Sequence, residues 1–542
     1  MKQLPVKLLL AFFPVFVLAQ PTQNPPKLVV GIVVDQMRPE YINRFWPWYA
    51  ENGLRRLVLE GYNCANTHYN YVPTYTGPGH ACIATGASPS VNGIVGNEWF
   101  DRDTERTMYC AQDDSVRTIG SPTKDGQMSP RNLLSNTVGD ELRMATSDRA
   151  KVIGIALKDR GAILSTGHRA NAAYWFDGKT GTFISSSFYM EQLPAWVSAF
   201  NQRERAEELL KRPWELLFPT AEYAKICTAD DVPYEGKYRG EDKPVFPHNF
   251  PGIRDKNTVD LIRSTPWGNT LTFEMAEAAI EGEALGQDEV TDLLMVSFSS
   301  TDYIGHQFGP RSMEIADMYM RFDRELAAFI DQVETKVGAE NVVFFLSADH
   351  AVAENPQYLL DRRTPAGFFP GAVIDSLRQF SKRTFKADLI KSYRNQQIYL
   401  DYNAIYARRL EFQEVYKQFN LFLNRIPGLA YIINRQELAQ LGSASPMFGR
   451  VINGYYPKRS GDILLIFEPG WFESGWTTGT THGSGYSYDT HVPMLWYGRG
   501  HIPQGRTFRP TRVVDIAPTV AALLGIPFPN GNTGEPILEV LK

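Results

Sequence analysis

The chain has 542 residues, of which 43% are apolar and 21% charged, values typical of a folded globular protein rather than a disordered or fibrous one. Its formal net charge is −5, and this balance argues against nucleic acid as a partner, because phosphate-backbone binding needs concentrated Lys and Arg. The length is compatible with three domains or with one elaborated α/β domain that carries insertions.

The first twenty residues have the pattern of a secretory signal. Lys2 and Lys7 precede an apolar run, Leu8–Ala19, which ends in small residues that suit a cleavage point. The run contains Pro14 and is too short to span a bilayer comfortably. We therefore predict a signal peptide at 1–20, a mature chain without a membrane span, and a periplasmic or secreted location.

Six apolar, β-branched runs predict strands that are buried on both faces of a sheet. They are Lys27–Val34, Lys151–Leu157, Asp292–Phe298, Asn341–Leu346, Asp462–Phe467 and Val492–Trp496. Helical patterns separate them, most clearly over 312–337, where Gly338 follows the pattern, and over Val514–Leu524. Strands that alternate with helices indicate an α/β fold with a doubly wound, mostly parallel central sheet flanked by helices.

Two regions interrupt this alternation. Residues 176–290 are rich in Pro, Trp and Tyr, and residues 365–460 mix helical and strand-like pieces. We interpret both as inserted cap segments over a core that resumes afterwards. The expected organisation is therefore a single catalytic domain over 21–542 rather than three separate domains.

Four cysteines follow the predicted signal peptide: Cys64, Cys82, Cys110 and Cys227. None has the C-x-x-C spacing of a metal site. An oxidising compartment permits either two disulfides or one disulfide beside two buried thiols, and the spacing does not select a pairing.

Side chains that can bind a metal follow three of the predicted strands. Asp35 ends the first run, Asp302 and His306 follow the third, and Asp349 and His350 follow the fourth. Ligands bind at the carboxyl ends of strands in doubly wound sheets, so these groups should share one edge. A mixed Asp/His set favours Zn²⁺, whereas Mg²⁺ prefers surroundings rich in oxygen.

A candidate nucleophile lies in the segment Thr76-Gly-Pro-Gly-His80. Thr76 is predicted at a helix N-terminus, where free N–H groups and the helix dipole favour an anion. Gly77 and Gly79 permit close approach of other backbone.

Further candidates could bind an anion or complete a metal site. Lys158 and Arg160 follow the second predicted strand, where strand alternation would point their side chains the same way, and Asn97 is a candidate donor. Near the C-terminus, either His482 or His491 could complete a metal site.

Together and in this order, the motifs resemble the alkaline phosphatase superfamily. The likeness covers nearly all of the chain after the predicted signal peptide, up to a closing helix that begins near Asp515. It is greatest to bacterial alkaline phosphatases that use threonine, and the sequence is also similar to the nucleotide pyrophosphatase/phosphodiesterase branch.

The resemblance implies two Zn²⁺ per chain. It assigns one zinc to Asp35, Asp349, His350 and the Thr76 oxygen, and the other to Asp302, His306 and His482. His491 is the weaker candidate for the last ligand, because the family's ligand is followed by glycine.

The resemblance also implies a mechanism, in which Thr76 attacks phosphorus in line and water then hydrolyses the phosphothreonine. Asn97, Lys158 and Arg160 would bind the non-bridging oxygens. Diesterases of the superfamily lack the Lys-x-Arg pair, so the expected substrates are small-molecule phosphate monoesters.

The main alternative is a phosphodiesterase or nucleotide pyrophosphatase of the same superfamily. A catalytically inactive phosphate- or glycan-binding protein is a remote alternative. A sulfatase is disfavoured because neither Cys64 nor Cys82 lies in a C-x-P-x-R context, and a serine hydrolase because no G-x-S-x-G elbow is present. The sequence makes no prediction about the oligomeric state.

Overall fold

The computed structural model describes residues 24–438, 440–442 and 445–541. The predicted signal peptide, 1–20, lies outside the described residues. Among the described helices, none combines the length and the apolar character needed to cross a bilayer.

Strands are numbered here in chain order. They are β1 (Leu28–Val34), β2 (Tyr62–Cys64), β3 (Thr67–His68), β4 (Glu98–Asp101), β5 (Arg106–Tyr109), β6 (Thr118–Ile119), β7 (Val152–Ala156), β8 (Ala172–Asp177), β9 (Thr182–Ser186), β10 (Asp292–Phe298), β11 (Val342–Ser347), β12 (Gly367–Phe369), β13 (Ile390–Arg394), β14 (Gln397–Leu400), β15 (Leu429–Asn434), β16 (Ile463–Phe467), β17 (Trp471–Glu473), β18 (His491–Val492), β19 (Met494–Tyr497), β20 (Gly505–Thr507) and β21 (Thr511–Arg512).

The α-helices are numbered in the same way. They are α1 (Glu40–Arg44), α2 (Leu54–Glu60), α3 (Thr76–Thr85), α4 (Pro89–Asn92), α5 (Val138–Ala145), α6 (Asp159–Leu164), α7 (Ala195–Gln202), α8 (Arg205–Leu209), α9 (Thr220–Tyr223), α10 (Phe250–Ile253), α11 (Trp267–Gly282), α12 (Ser300–Phe308), α13 (Met313–Val337), α14 (Pro356–Asp361), α15 (Ala372–Phe385), α16 (Tyr402–Ala407), α17 (Phe412–Leu423), α18 (Pro446–Gly454), α19 (Ser487–Thr490) and α20 (Ile516–Leu524). Short 3₁₀ helices cover Trp46–Trp48, Pro130–Asn132, Arg254–Lys256, Val259–Ser264, Ala339–Asn341 and Val513–Asp515.

A ten-stranded sheet forms the centre of the molecule, in the order β20-β2-β19-β11-β1-β10-β7-β8-β9-β6. The five strands from β11 to β8 are parallel, and Leu28 of β1 lies opposite Asp292 of β10 and Val342 of β11. Every residue of β1 is buried. Gly31 is required there, because a Cβ at this position would collide with the side chains of Met295 and Phe345.

Helices cover both faces of this sheet. On one face, Gly154 of β7 lies against Ala162 of α6. Leu157, just after β7, points to the other face and approaches Gly268 of α11. The long helix α13 begins where Ser312 Oγ accepts the N–H of Ile315. The doubly wound α/β fold predicted from the sequence is therefore confirmed.

Two details of the predicted sheet are wrong or incomplete. The Asp462–Phe467 run forms β16, which belongs to a separate four-stranded sheet in the order β13-β14-β16-β15. Its alternate residues pack into two different apolar clusters, so both of its faces are buried and its sequence looks like that of a central strand. In the main sheet, β19 pairs antiparallel with β11, and β9 antiparallel with β8.

The two predicted insertions differ in their relation to the core. Within 176–290, β9 extends the main sheet and α11 packs on it, whereas the segment between them forms an irregular layer. Within 365–460, the strands and helices build the small sheet and its own apolar cluster. The single-domain organisation over 21–542 stays a prediction.

All four cysteines are free, so the expected disulfides are absent from the structure. Cys64 ends β2, Cys82 lies in α3, Cys110 follows β5 and Cys227 follows α9. Burial raises the pKa of each thiol to about 12 or above, which keeps the thiols protonated and unreactive.

Candidate active site

The carboxyl ends of three neighbouring parallel strands deliver the predicted aspartates to one edge of the sheet. Asp35 follows β1 directly, Asp302 lies in the first turn of α12 after β10, and Asp349 and His350 follow β11. All four side chains are buried. The sheet order β11-β1-β10 places these three strand ends side by side.

One group of candidate metal ligands consists of Asp302, His306 and His482. One turn of α12 separates Asp302 from His306, whose Nε2 lies 3.1 Å from Asp302 Oδ1. His482 reaches the same carboxylate from the loop after β17, with Nε2 3.6 Å from Asp302 Oδ1. The structure thus brings His482 next to Asp302 and His306, which lie one helical turn apart.

A second group surrounds His350. Its Nε2 lies 3.4 Å from Asp35 Oδ1, 3.4 Å from Asp349 Oδ2 and 3.4 Å from Thr76 Oγ1. Asp35 Oδ1 and Asp349 Oδ2 are buried oxygens without a hydrogen-bond partner. Buried unpaired carboxylate oxygens are costly, and a cation would satisfy both.

These separations fit a tetrahedral zinc site. With zinc–ligand bonds of about 2.0–2.2 Å, the edges of a tetrahedron are roughly 3.3–3.6 Å long. The orientation of the histidines agrees, because Nδ1 of His306, His350 and His482 donates to the carbonyls of Thr480, Ala351 and Thr74, at 2.8, 3.0 and 2.7 Å. Each Nε2 is therefore left with its lone pair facing the carboxylates, the arrangement that metal-binding histidines adopt.

The electrostatics of the edge call for positive charge. Burial and the neighbouring Asp35 raise the pKa of Asp349 well above its usual range. Burial also disfavours the charged form of Asp302, but His306 and Lys158 outweigh it and hold the pKa of Asp302 well below its usual range. Burial lowers the pKa of His350 to about 4, so its imidazole is neutral, the form that binds a metal.

Lys158 connects the two groups. Its Nζ lies 2.6 Å from Asp35 Oδ2 and 2.6 Å from Asp302 Oδ2. Burial disfavours the ammonium, but Asp302 and Asp35 outweigh burial and raise the pKa of Lys158 above its usual value. The Lys158 ammonium thus contacts one carboxylate beside His350, that of Asp35, and one beside His306, that of Asp302.

Thr76 is the first residue of α3, as the sequence predicted. Gly79, one turn later, packs so tightly on Asp349 that a Cβ there would collide with the Asp349 carbonyl. The N–H of Gly77 donates to Asn97 Oδ1 at 2.8 Å, which fixes the Asn97 amide beside the helix N-terminus.

Lys158 and Arg160 both line a cavity of about 320 Å³ at this edge. The sequence analysis explained their common direction by alternation along a strand, and that explanation is wrong. β7 ends at Ala156, and the two residues lie at the start of α6. Arg160 Nη1 donates to Tyr109 Oη at 3.0 Å, while its buried Nε has no partner. A guanidinium that lines a cavity suits an oxyanion.

His491 does not join the other candidates. Its ring stacks on His68 with centroids 4.6 Å apart, its Nε2 donates to the Ala65 carbonyl, and it lines a different cavity. The structure therefore places His482, and not His491, beside Asp302.

Comparison with known proteins agrees with this geometry. The family model of type I phosphodiesterase/nucleotide pyrophosphatase matches residues 29–487. The chain belongs to this family. It is thus an enzyme of the alkaline phosphatase superfamily, as the motifs predicted.

Two curated relatives in the family are similar over almost their entire length. A Myroides odoratus protein named calcium-transporting ATPase is 47% identical over 536 residues, 98% of this chain and 97% of that protein. Alkaline phosphatase PafA of Elizabethkingia meningoseptica is 42% identical over 518 residues, 95% of this chain and 94% of PafA. The crystal structure of wild-type PafA superposes with a TM-score of 0.93 at 41% identity, covering 96% of this chain and 99% of that one.

Three residues that the sequence analysis missed support the site in this family member. Gln36, which has a φ of 66°, donates from Nε2 to Asp302 Oδ1 at 2.5 Å and from its N–H to Asp349 Oδ1 at 3.2 Å. Tyr109 contacts Arg160, and the ring of Tyr303 lies 5.0 Å from Lys158 Nζ. The sequence could have pointed to Gln36 and Tyr303, because each directly follows a candidate metal ligand in the chain, but it gave no indication of Tyr109.

Proposed function

We propose that this enzyme is a zinc-dependent alkaline phosphatase that hydrolyses phosphate monoesters through a covalent phosphothreonine at Thr76. The observation that carries the proposal is the position of the Thr76 hydroxyl. It lies at the N-terminus of α3, 3.4 Å from His350 Nε2, at the same strand edge as Lys158 and Arg160. The names of PafA and of other relatives at 42% identity as alkaline phosphatases support it.

Binding of the phosphoryl group is assigned to Asn97, Lys158 and Arg160. Both Lys158 and Arg160 are cationic side chains that line the cavity of about 320 Å³. The Asn97 carbonyl oxygen is engaged by Gly77, so its amide nitrogen is the group left to donate. Three donors suit a terminal phosphate with three non-bridging oxygens, and this favours monoesters over diesters.

The metal ligands are assigned as two sets. Asp35, Asp349, His350 and the Thr76 oxygen would hold one Zn²⁺, and Asp302, His306 and His482 would hold the other. When bound, paired zinc ions supply positive charge at the attacking and leaving oxygens of an in-line displacement. The chain itself fixes the three histidines through their Nδ1 hydrogen bonds and holds Asp35 and Asp302 against the Lys158 ammonium.

Thr76 acts as the nucleophile in this proposal. Its Oγ1 attacks phosphorus while the leaving oxygen departs on the opposite side, and the Lys158 and Arg160 cations stabilise the negative charge that remains. Water then attacks the phosphothreonine from the side that the leaving group has vacated. The Thr76 hydroxyl is regenerated and phosphate is released.

We further propose that the enzyme acts in the periplasm or outside the cell, after removal of a signal peptide at 1–20. The basis is the pair of lysines followed by a short apolar run at the N-terminus. Mass spectrometry of the exported protein would show a mature N-terminus close to residue 21.

A direct test compares p-nitrophenyl phosphate with bis-p-nitrophenyl phosphate as substrates of the purified protein. We expect the monoester to be preferred, activity to disappear on chelation, and zinc to restore it with two ions per chain by elemental analysis. A preference for the diester would favour the phosphodiesterase alternative that the family name suggests. Retention of monoester turnover after complete zinc removal would contradict the two-zinc assignment.

Two variants test the nucleophile. Thr76→Ala should lower turnover by ~10³-fold or more, whereas Thr76→Ser keeps a hydroxyl and should retain a large part of the activity. Acid quenching of the wild type with labelled substrate should trap the label on the peptide that contains Thr76. A fully active Thr76→Ala protein would contradict the covalent mechanism, and a wild type that binds phosphate without any turnover would indicate the non-catalytic alternative.

A further inference from the structure

A hairpin of the small four-stranded sheet reaches the candidate active site. Asn395 and Gln396 form its two-residue turn between β13 and β14, and both have positive φ, 50° and 62°. Tight hairpin turns need this conformation, which asparagine adopts more readily than most side chains. The turn lies in the predicted insertion at 365–460, to which none of the proposed catalytic groups belongs.

The hairpin turn contacts the chain on both sides of Asn97. Asn395 Nδ2 donates to the carbonyl of Glu98 at 2.5 Å. On the other side of Asn97, a Cβ at Gly96 would lie 2.3 Å from the same Asn395 nitrogen, so the amide fills the space that glycine leaves empty. Arg394, the residue before the turn, pairs with the Glu98 carboxylate at 3.0 Å. The turn thus packs on both neighbours of Asn97.

The other contacts of Asn97 bind its oxygens. Its carbonyl accepts the N–H of Cys110 at 2.9 Å, and its Oδ1 accepts the N–H of Gly77 at 2.8 Å. The direction of Nδ2, the proposed donor to phosphate, therefore depends on how the backbone of residues 96–98 is held. Gly96 leaves this segment conformationally freer than another residue would, and the contacts of Asn395 restrict it.

The same insertion also holds the segment before the proposed nucleophile. The N–H of Val72, four residues before Thr76, donates to the carbonyl of Arg450 in α18 at 3.1 Å. Gly454, at the end of α18, packs so closely on Val72 that a Cβ there would collide with the Val72 carbonyl. The insertion therefore contacts the segment that carries the nucleophile as well as the segment that carries Asn97.

We propose that the β13–β14 hairpin positions Asn97 for phosphate binding, with Asn395 as the positioning residue. The Asn395 amide holds the backbone of residues 96–98, and this keeps the Asn97 amide beside the N-terminus of α3, where it can donate to a non-bridging oxygen. Asn395 acts through Asn97 and not on the substrate itself. This inference rests on the proposed function, which assigns Asn97 to the phosphoryl group.

Asn395→Gly tests this role. Glycine tolerates the positive φ of the turn, so the hairpin keeps its shape while the amide is lost. We expect kcat/KM for p-nitrophenyl phosphate to fall by ~3- to 30-fold, and the inhibition constant of inorganic phosphate to rise by a similar factor, because both depend on the position of the phosphate donors. Asn395→Asp should lose more, since it replaces the donor with an acceptor that faces the Glu98 carbonyl.

A double-mutant cycle with Asn97 separates positioning from a general structural effect. Asn97→Ala should lower kcat/KM by ~10- to 100-fold, the usual cost of one hydrogen bond to a charged group. In that background, Asn395→Gly should lower kcat/KM by less than ~2-fold further, because the group that it positions is already gone. Equal losses in the two backgrounds would overturn the inference, since Asn395 would then act independently of Asn97.

Gly96→Ala disturbs the same contact from the other side. The new Cβ would displace the Asn395 amide and break its hydrogen bond to the Glu98 carbonyl. We therefore expect a loss similar to that of Asn395→Gly. The double variant should lose no more than Gly96→Ala alone, because it has no amide to displace. Fully additive losses would contradict a shared contact.

Lys391→Met is the matched control. Lys391 belongs to β13 and pairs with Glu105, in the turn between β4 and β5, at 2.9 Å. The variant therefore removes another contact between the same two hairpins, but one that does not involve residues 96–98. It should leave kcat/KM and the inhibition by phosphate unchanged.

The outcomes also separate this inference from the proposed function. If Asn97→Ala keeps full monoester turnover, Asn97 is not a phosphate ligand, and both that assignment and the role of the hairpin are wrong. If Asn97→Ala loses activity while Asn395→Gly keeps the wild-type kcat/KM and phosphate inhibition, the proposed function stands and the role of the hairpin alone is wrong.

Discussion

The imidazole rings of His350 and His482 stack in parallel, with centroids 3.5 Å apart and an angle of 13° between their planes. One ring follows a central strand and the other lies in a late loop, and each is held by its Nδ1 hydrogen bond. Each ring belongs to a different candidate metal group, and the two groups share Asp302, so the stack holds them side by side.

Replacing His482 should therefore remove one of the two metal ions. We expect His482→Asn to bind one zinc per chain where the wild type binds two, and to lose at least ~100-fold in turnover, more than is usual for outer-shell substitutions. Elemental analysis of the purified proteins measures the metal content.

His491→Asn is the matched control for this change. His491 stacks on His68 and belongs to neither group of candidate metal ligands, so the variant should keep two zinc ions and full turnover. If His491→Asn loses a metal ion while His482→Asn keeps both, the assignment of the last ligand is wrong.

Lys158 should stabilise the metal-free enzyme more than the zinc-loaded one. In Lys158→Met, the Asp35 and Asp302 carboxylates lose their shared cation, and breaking such a buried pair costs about 3–5 kcal/mol. Zinc would neutralise the same carboxylates, so the loss in the loaded protein should be less than half as large. Urea unfolding with and without chelator measures both values.

An exposed lysine gives the reference for that measurement. Lys336 pairs with Glu281 on the surface of α13, so Lys336→Met should cost less than about 1 kcal/mol in either state. Equal losses for Lys158→Met with and without zinc would show that Lys158 does not compensate the ligand charges.

Arg160 should decide between monoesters and diesters. Its side chain lines the cavity of about 320 Å³ together with Lys158, and a diester has one fewer charged oxygen for the guanidinium to bind. We expect Arg160→Ala to lower kcat/KM for the monoester by ~100-fold and for the diester by ~10-fold or less, since a lost charged hydrogen bond costs about 1.5–3 kcal/mol. Tyr109→Phe, which keeps the guanidinium but removes its Oη contact, should give a smaller loss with both substrates. Equal effects of Arg160→Ala on the two substrates would contradict this role.

His248 should make the stability of the fold depend on pH. Burial disfavours its charged form, but hydrogen bonds to Glu241 at 2.9 Å and Glu314 at 3.2 Å outweigh burial and raise its pKa to about 9. A raised histidine pKa stabilises the folded state fully below the unfolded value of about 6.5, and this contribution is lost as pH rises through about 9.

Replacing His248 should flatten that dependence. At about 1.4 kcal/mol per pKa unit, the wild type should lose roughly 2–4 kcal/mol of unfolding free energy between pH 6.5 and pH 9.5 relative to His248→Gln. His501→Gln is the control, because the half-buried His501 ring hydrogen-bonds the carbonyl of Glu340 rather than a carboxylate. Parallel pH profiles for His248→Gln and the wild type would refute the role of this histidine.

The parts of the site that follow strand ends could be predicted from the sequence because their placement obeys a local rule. A buried parallel strand carries its next residue to the edge, and one helical turn brings Asp302 and His306 together. Tyr109 could not be predicted, since it reaches Arg160 from a hairpin whose position depends on tertiary packing. The prediction that β16 belongs to the main sheet was wrong for a related reason. A strand that is buried on both faces has the same apolar sequence pattern in any sheet.

The central position of β1 has a consequence for biosynthesis. Leu28 starts this strand, but its neighbours β10 and β11 start only at Asp292 and Val342. At ~5–20 residues per second, translation needs on the order of tens of seconds to supply the first partner strand. During that time an apolar strand, buried along its whole length in the folded protein, has both edges unpaired and open to aggregation.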